Sequence, residues 1–197
     1  MSLILGLLSV LIAVISYSFY FRNIFTRKTR PHGITWLIWG TLSALIFYQQ
    51  ATHGAGAGAW VTLFASIANY LIFILSIRYG EHSMTRLDYS CLIFAVIALV
   101  LWGFNKDSNA SAIIASSVFI VALIPTWRKS MVNAYEETAV TYGLNSLKFL
   151  VALFALSSIS FITAFYPFVI FVANGAFAVF LVLRRRSGPA AIPLVVK

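Results

Sequence analysis

Seven apolar runs, each close to the length that crosses a bilayer, leave this chain almost no residues for anything else. They fall at roughly 3–21, 34–50, 59–78, 89–104, 110–127, 140–158 and 164–183. A spanning helix needs about 20 mostly apolar residues, and backbone in hydrocarbon must satisfy its own hydrogen bonds. No run shows the ten-residue polar/apolar alternation of barrel strands. The expectation is an all-α membrane protein of seven transmembrane helices. Composition agrees, with 61% hydrophobic and 10% charged residues, against about 45–50% and about 25% in ordinary soluble domains. The first run lacks a basic leader and exceeds the apolar core of a signal peptide, so it reads as a retained helix.

Charge sets the orientation. The net charge is +9, and its placement decides its meaning. With seven crossings, one side collects Arg22, Arg27, Lys28, Arg30, Arg78, Arg86, Arg128, Lys129, Arg184, Arg185, Arg186 and Lys197, while the other holds Lys106. Positive loops stay cytoplasmic, which predicts an outside N-terminus and a cytoplasmic C-terminus. Read this way, the basic residues are dispersed loop anchors at the lipid headgroups. The lipid bilayer is then the partner, nucleic acid is excluded, and the expected location is the bacterial cytoplasmic (inner) membrane. A homo-oligomer is compatible with this reading.

The run at 88–105, DYSCLIFAVIALVLWGFN, carries no charge between Tyr89 and Phe104. It reads as a linker helix (89–104) between a first triple-helix bundle at 1–88 and a second at 105–187, with a cytoplasmic tail at 188–197. One extra crossing makes the two bundles parallel, a 3+1+3 plan known in transporters. A weak internal echo supports it. Shifted by 106, Arg22 meets Arg128, Thr35 meets Thr141, Trp36 meets Tyr142, Trp39 meets Asn145 and Arg78 meets Arg184. Shifted by 105, Ala68-Asn69 meets Ala173-Asn174.

The candidate residues are polar groups at membrane depth. Asn69 and Asn174 each lie near the middle of the third helix of a half, where an amide needs a partner or a cavity. Both readings stand: a ligand site on the central axis, or hydrogen bonds within each bundle. Trp36 with Trp39, and Tyr142 with Asn145, are spaced by three and share a helix face. All four are candidate substrate-binding residues, with the rings stacking on a solute; the alternative is an interfacial aromatic belt, which suits Trp36 near the edge, while Trp39 and Asn145 lie one turn deeper. Lys148 follows Asn145 by three, inside the sixth run. It reads as a substrate or proton group, or as a side chain that snorkels or pairs with Glu136 or Glu137.

Pro125 is expected to end the fifth helix and to act as a hinge, with Thr35 as a cap for the second. The glycine-rich run at 54–60 reads as a compact turn into helix three. His32, His53 and His82 lie in separate loops and propose no metal site. Cys91 reads as packing, and no cofactor or enzyme motif is present.

The segment Ile124-Pro125-Thr126-Trp127-Arg128-Lys129-Ser130 resembles the signature of the SWEET and PQ-loop superfamily, with Thr126 where the signature has Gln. The first half, at Phe19-Tyr20-Phe21-Arg22, lacks the proline. The resemblance implies the 3+1+3 fold and an Asn in the third helix of each unit lining a central pocket, as Asn69 and Asn174 are placed. Trp36-Leu37-Ile38-Trp39 also resembles the WxxW motif of Pnu-type vitamin-precursor transporters, which carry nicotinamide riboside. Residues 54–62 and 135–141 resemble a bacterial membrane-protein group from which no function is carried over.

The functional expectation is a facilitator-like carrier of a small polar solute, such as a sugar or vitamin precursor, working by alternating access between the bundles. The alternative is a non-transporting receptor or interaction protein of the same fold that binds a small anionic or peptide ligand. A retinal protein is disfavoured, because the lysine is in the sixth helix and no run supplies a carboxylate.

Overall fold

A computed structural model describes residues 1–81, 85–104 and 107–186. His82, Lys106 and the tail placed at 188–197 lie outside these residues. The described chain forms seven α-helices: α1 Ser2–Phe25, α2 Gly33–Thr52, α3 Trp60–Tyr79, α4 Arg86–Phe104, α5 Ser108–Val132, α6 Ala139–Ala155 and α7 Phe161–Arg186. A 3-10 turn, Gly56–Ala59, leads into α3, and another, Ala134–Glu136, precedes α6. Four helical segments, Ser2–Phe25, Gly56–Tyr79, Asn109–Val132 and Phe161–Arg186, are long and apolar enough to cross a membrane.

Polarity is distributed inside out relative to a soluble protein. Ile4, Leu11, Ile67, Ile74, Ile97 and Phe154 are exposed, whereas Ser9, Ser16, Asn69, Asn145 and Asn174 are buried. Such an arrangement is stable only where the surroundings are apolar, because exposed apolar area costs roughly 25 cal/mol per Å² in water.

The two halves repeat the same contacts. In the first, α2 packs on α3 and α1 on α3; in the second, α6 packs on α7 and α5 on α7. The halves meet through α1 with α6 and, equivalently, α2 with α5, while α4 packs against α5. Hydrogen bonds follow the same shift that appears in the sequence. Thr35 Oγ1 donates to the Ala122 carbonyl at 2.9 Å, and Thr141 Oγ1 to the Ser16 carbonyl at 3.1 Å. Ser66 in α3 donates to the Gly40 carbonyl in α2, and Ser146 in α6 to the Phe171 carbonyl in α7. These are corresponding positions with donor and acceptor exchanged.

Several boundaries differ from the sequence expectation. Pro125 lies inside α5, which continues to Val132. A proline inside a helix loses its hydrogen bond to residue i−4 and crowds that carbonyl, and contacts with neighbouring helices offset this cost. Past it, Thr126 donates to Thr35 Oγ1, and Ser130 donates back to the Thr126 carbonyl. His32, not Thr35, occupies the N-cap of α2; Thr35 instead reaches across to α5. α6 stops at Ala155 because Leu156 turns extended and Ser157 N–H bonds to the Ala55 carbonyl at 3.1 Å.

Candidate functional site: a polar cavity between the halves

Where the halves meet, a cavity is lined by Tyr17 of α1, Trp36, Trp39 and Ser43 of α2, Ala65 and Asn69 of α3, Phe119 of α5, Asn145 and Phe149 of α6, and Ile170 and Asn174 of α7. Its wall obeys the repeat. Trp39 and Ser43 correspond to Asn145 and Phe149 under the shift of 106, and Ala65 and Asn69 to Ile170 and Asn174 under 105. Helical spacing explains why each pair lines one space, since residues four apart share a helix face. The free volume is about 20 Å³, and roughly 10–15 Å³ holds one water molecule. Every lining side chain is buried.

The polar wall is partly engaged. Tyr17 OH donates to Asn69 Oδ1 at 2.8 Å, Ser16 Oγ to Asn145 Oδ1 at 3.1 Å, and Asn174 Nδ2 to the Ile170 carbonyl at 2.9 Å. Trp39 Nε1 donates to the Phe119 carbonyl at 3.2 Å, and its ring stacks on Phe119 at 4.9 Å between centroids. The buried Trp36 indole lies against the Tyr20 side chain. Carboxamides, indoles and a phenol on one wall can bind a polar solute through both donors and acceptors.

Of the residues singled out from sequence, Asn69, Asn174, Trp36, Trp39 and Asn145 line this cavity. The belt reading of Trp36 is overturned: it is 1% exposed, with the Tyr20 ring at 4.8 Å and Trp39 at 5.2 Å. Tyr142 lies below the cavity and donates to Glu137 Oε2 at 3.0 Å. Lys148 is fully buried and neither snorkels nor pairs with Glu136 or Glu137. Its Nζ stands 4.2 Å from the centre of the Tyr17 ring and 5.2 Å from that of Phe149. Tyr17, Ser43 and Phe149 were missed, although Ser43 and Phe149 continue the Trp39 and Asn145 faces by one turn.

Below the cavity, where the basic segments gather, the halves are fastened together. Glu137 accepts from Lys129 and from the Tyr20 and Tyr142 hydroxyls, and Lys129 also donates to the Arg30 carbonyl. Thr138 accepts from Asn23 Nδ2 at 3.0 Å and shares a hydrogen bond of 2.7 Å with Thr29. Arg128 grips Asp88 with two bonds of 3.3 and 3.0 Å. The reading of all loop cations as lipid anchors is therefore corrected: Lys129 is 4% exposed and serves an internal ion pair. His32 belongs to this end as well, with Nε2 3.8 Å from Asp88. Burial holds its imidazole below the ordinary range, an effect that Asp88 and Glu81 oppose and the cations Lys129 and Arg128 reinforce.

The opposite end is shut by backbone. The 3-10 turn wedges against α1, α2 and α6, and Gly6 lets it approach, since a Cβ there would lie 2.6 Å from Ala57 Cβ. Gln50 Nε2 donates to the Thr163 carbonyl at 3.0 Å across the same end. A larger void of about 510 Å³ between α4, α5 and α7 is lined mainly by Leu, Ile and Ala side chains with Trp127 and Arg128 at its rim. It offers few polar groups to hold a solute in place.

No family model matches the chain, and no curated protein or solved structure matches it either.

Proposed function

We propose that this protein is a membrane carrier for a small polar solute, with seven spans in a 3+1+3 arrangement, the N-terminus outside and the C-terminus cytoplasmic. The observation that carries the proposal is the central cavity, where equivalent positions of both halves supply Asn69 and Asn174 to one buried space. A site on the pseudo-symmetry axis is equally reachable from both sides when the halves rock, which is what alternating access requires. Closure at both ends fits an occluded arrangement. The inner seal is polar and side-chain-built, through Lys129, Glu137, Tyr20 and Tyr142. The outer seal is the glycine-rich turn against α1. Opening either end widens a cavity that now admits about one water. The superfamily resemblance of the segment at 124–130 and the placement of the two Asn residues support the same reading.

The test is binding and flux on purified protein. Sugars, nucleosides, vitamins and amino acids are screened by thermal shift, and hits are followed by radiolabelled uptake into proteoliposomes. Asn174→Leu should abolish binding of a hit with little loss of stability, because its amide N–H bonds to the Ile170 carbonyl of its own helix. Binding without uptake would make the protein a receptor instead. Full activity in Asn69→Leu and Asn174→Leu alike would remove the cavity from the mechanism.

A further inference from the structure

We propose that the solute carries a carboxylate and that Lys148 is its counter-ion; this rests on the carrier reading of the central cavity. Lys148 is 0% exposed, and its Nζ has neither hydrogen-bond nor ion-pair partner among the described residues. Without a counter-charge, holding this amine in its charged form away from water is costly. Two ring faces, Tyr17 and Phe149, lie against it; both rings line the cavity, from which Lys148 itself is set back. A ring face compensates an ammonium only partly.

The surroundings specify the sign of the missing partner. No Asp or Glu lines the cavity. The carboxylates at the basic end are already engaged: Glu137 by Lys129, Asp88 by Arg128 and Glu136 by Asn133. A buried amine with no acidic group facing it favours an acceptor-rich ligand, and ammonium–carboxylate hydrogen bonds are the strong kind.

Tyr17 stands at the junction. Its ring faces Lys148 while its hydroxyl is held by Asn69. A carboxylate entering between Tyr17 and Asn69 would take over the ammonium as the ring moves aside. Solute binding would thereby be linked to displacement of α1, the helix that joins the first half to α6.

The experiment titrates matched acids and amides, benzoate against benzamide and lactate against lactamide, into the full chain in detergent. Intrinsic tryptophan fluorescence, to which Trp36 and Trp39 in the cavity wall contribute, reports binding. The expected result is that, for at least one pair, the acid binds roughly tenfold or more tightly than the amide. Lys148→Met, and Lys148→Gln as a second uncharged variant, should bring that acid and amide within about twofold of each other. Acids and amides of equal affinity in the unmodified chain, or a preference that survives both substitutions, overturns the inference and leaves the carrier reading standing. No saturable binding by any member of either pair also overturns the inference, and the carrier reading is then decided separately by the solute screen.

Discussion

Thr35 and Ala122 are joined across the two halves by a hydrogen bond of 2.9 Å, and Thr141 and Ser16 repeat that bond 106 positions further on. Both threonines begin a helix that packs on the first helix of the other half. The pair ties the halves at two equivalent points near the basic end. Replacing either threonine by Val keeps the shape and removes the repeated bond; at Thr35 it also removes the bonds with Thr126 Oγ1 and His32 Nδ1. Thr141→Val should cost about 1 kcal/mol, and Thr35→Val more, because Thr126 and His32 lose a partner as well. Chemical unfolding in mixed micelles measures them. A smaller cost for Thr35→Val than for Thr141→Val would deny that the repeated bond is equivalent in the two halves.

The ion pair of Lys129 with Glu137 at the basic end is wholly internal. Lys129→Met leaves the Glu137 carboxylate buried with only the Tyr20 and Tyr142 hydroxyls, which should destabilise the fold by about 3–5 kcal/mol. Adding Glu137→Gln removes the orphaned charge while keeping an oxygen for the two tyrosines. The double variant should regain most of the lost stability in the same unfolding assay. A double variant no more stable than Lys129→Met alone would show that the pair is not what holds this end.

The helices were legible because each is a long apolar run, and the cavity's deepest residues were legible because an amide at membrane depth demands an explanation. Asn69, Asn174, Trp39 and Asn145 could be named from depth and spacing alone. Tyr17 and Phe149 could not, since an aromatic ring in a span looks the same whether it faces lipid or a cavity. Trp36 was misread for a related reason: its position near the helix end fits a belt, and only packing against Tyr20 reveals that it points inward. The polar network at the basic end was hidden because its members lie in different helices and loops and become neighbours only when the halves pack together. Pro125 misled because a local rule, that proline ends helices, yielded to contacts from neighbouring helices.

Gly6 is where the opposite end depends on a missing side chain. A Cβ there would meet Ala57 Cβ at 2.6 Å and the Ala57 carbonyl oxygen at 2.8 Å, and neither atom belongs to a flexible side chain. Gly6→Ala should therefore cost about 1–3 kcal/mol of overpacking, despite the better helix propensity of alanine. Adding Ala57→Gly removes one of the two clashes and should restore part of the loss. Thermal unfolding of the three variants decides the matter. A Gly6→Ala chain as stable as the original would mean that the turn does not seat against α1.

His32 gives the basic end a pH dependence of definite sign. Its ring is buried, Nδ1 shares a hydrogen bond of 3.2 Å with Thr35 Oγ1, and burial holds the imidazole below its ordinary value of 6.5. The unfolded chain thus takes up this proton at a higher pH than the folded chain does. Above the ordinary value both states carry a neutral ring, and the contribution is fully present. As pH falls below about 6.5, the unfolded state gains the proton first and stability declines until the folded ring also titrates. The decline cannot exceed about 1.4 kcal/mol per pH unit for one group, and attraction by Asp88 reduces it. His32→Gln removes the group while keeping a hydrogen-bonding side chain at the N-cap. Unfolding free energies from pH 7.5 to 5.5 should fall less steeply for His32→Gln than for the unmodified chain. Parallel curves would place the imidazole in water, contrary to its packing beneath α4 and α5.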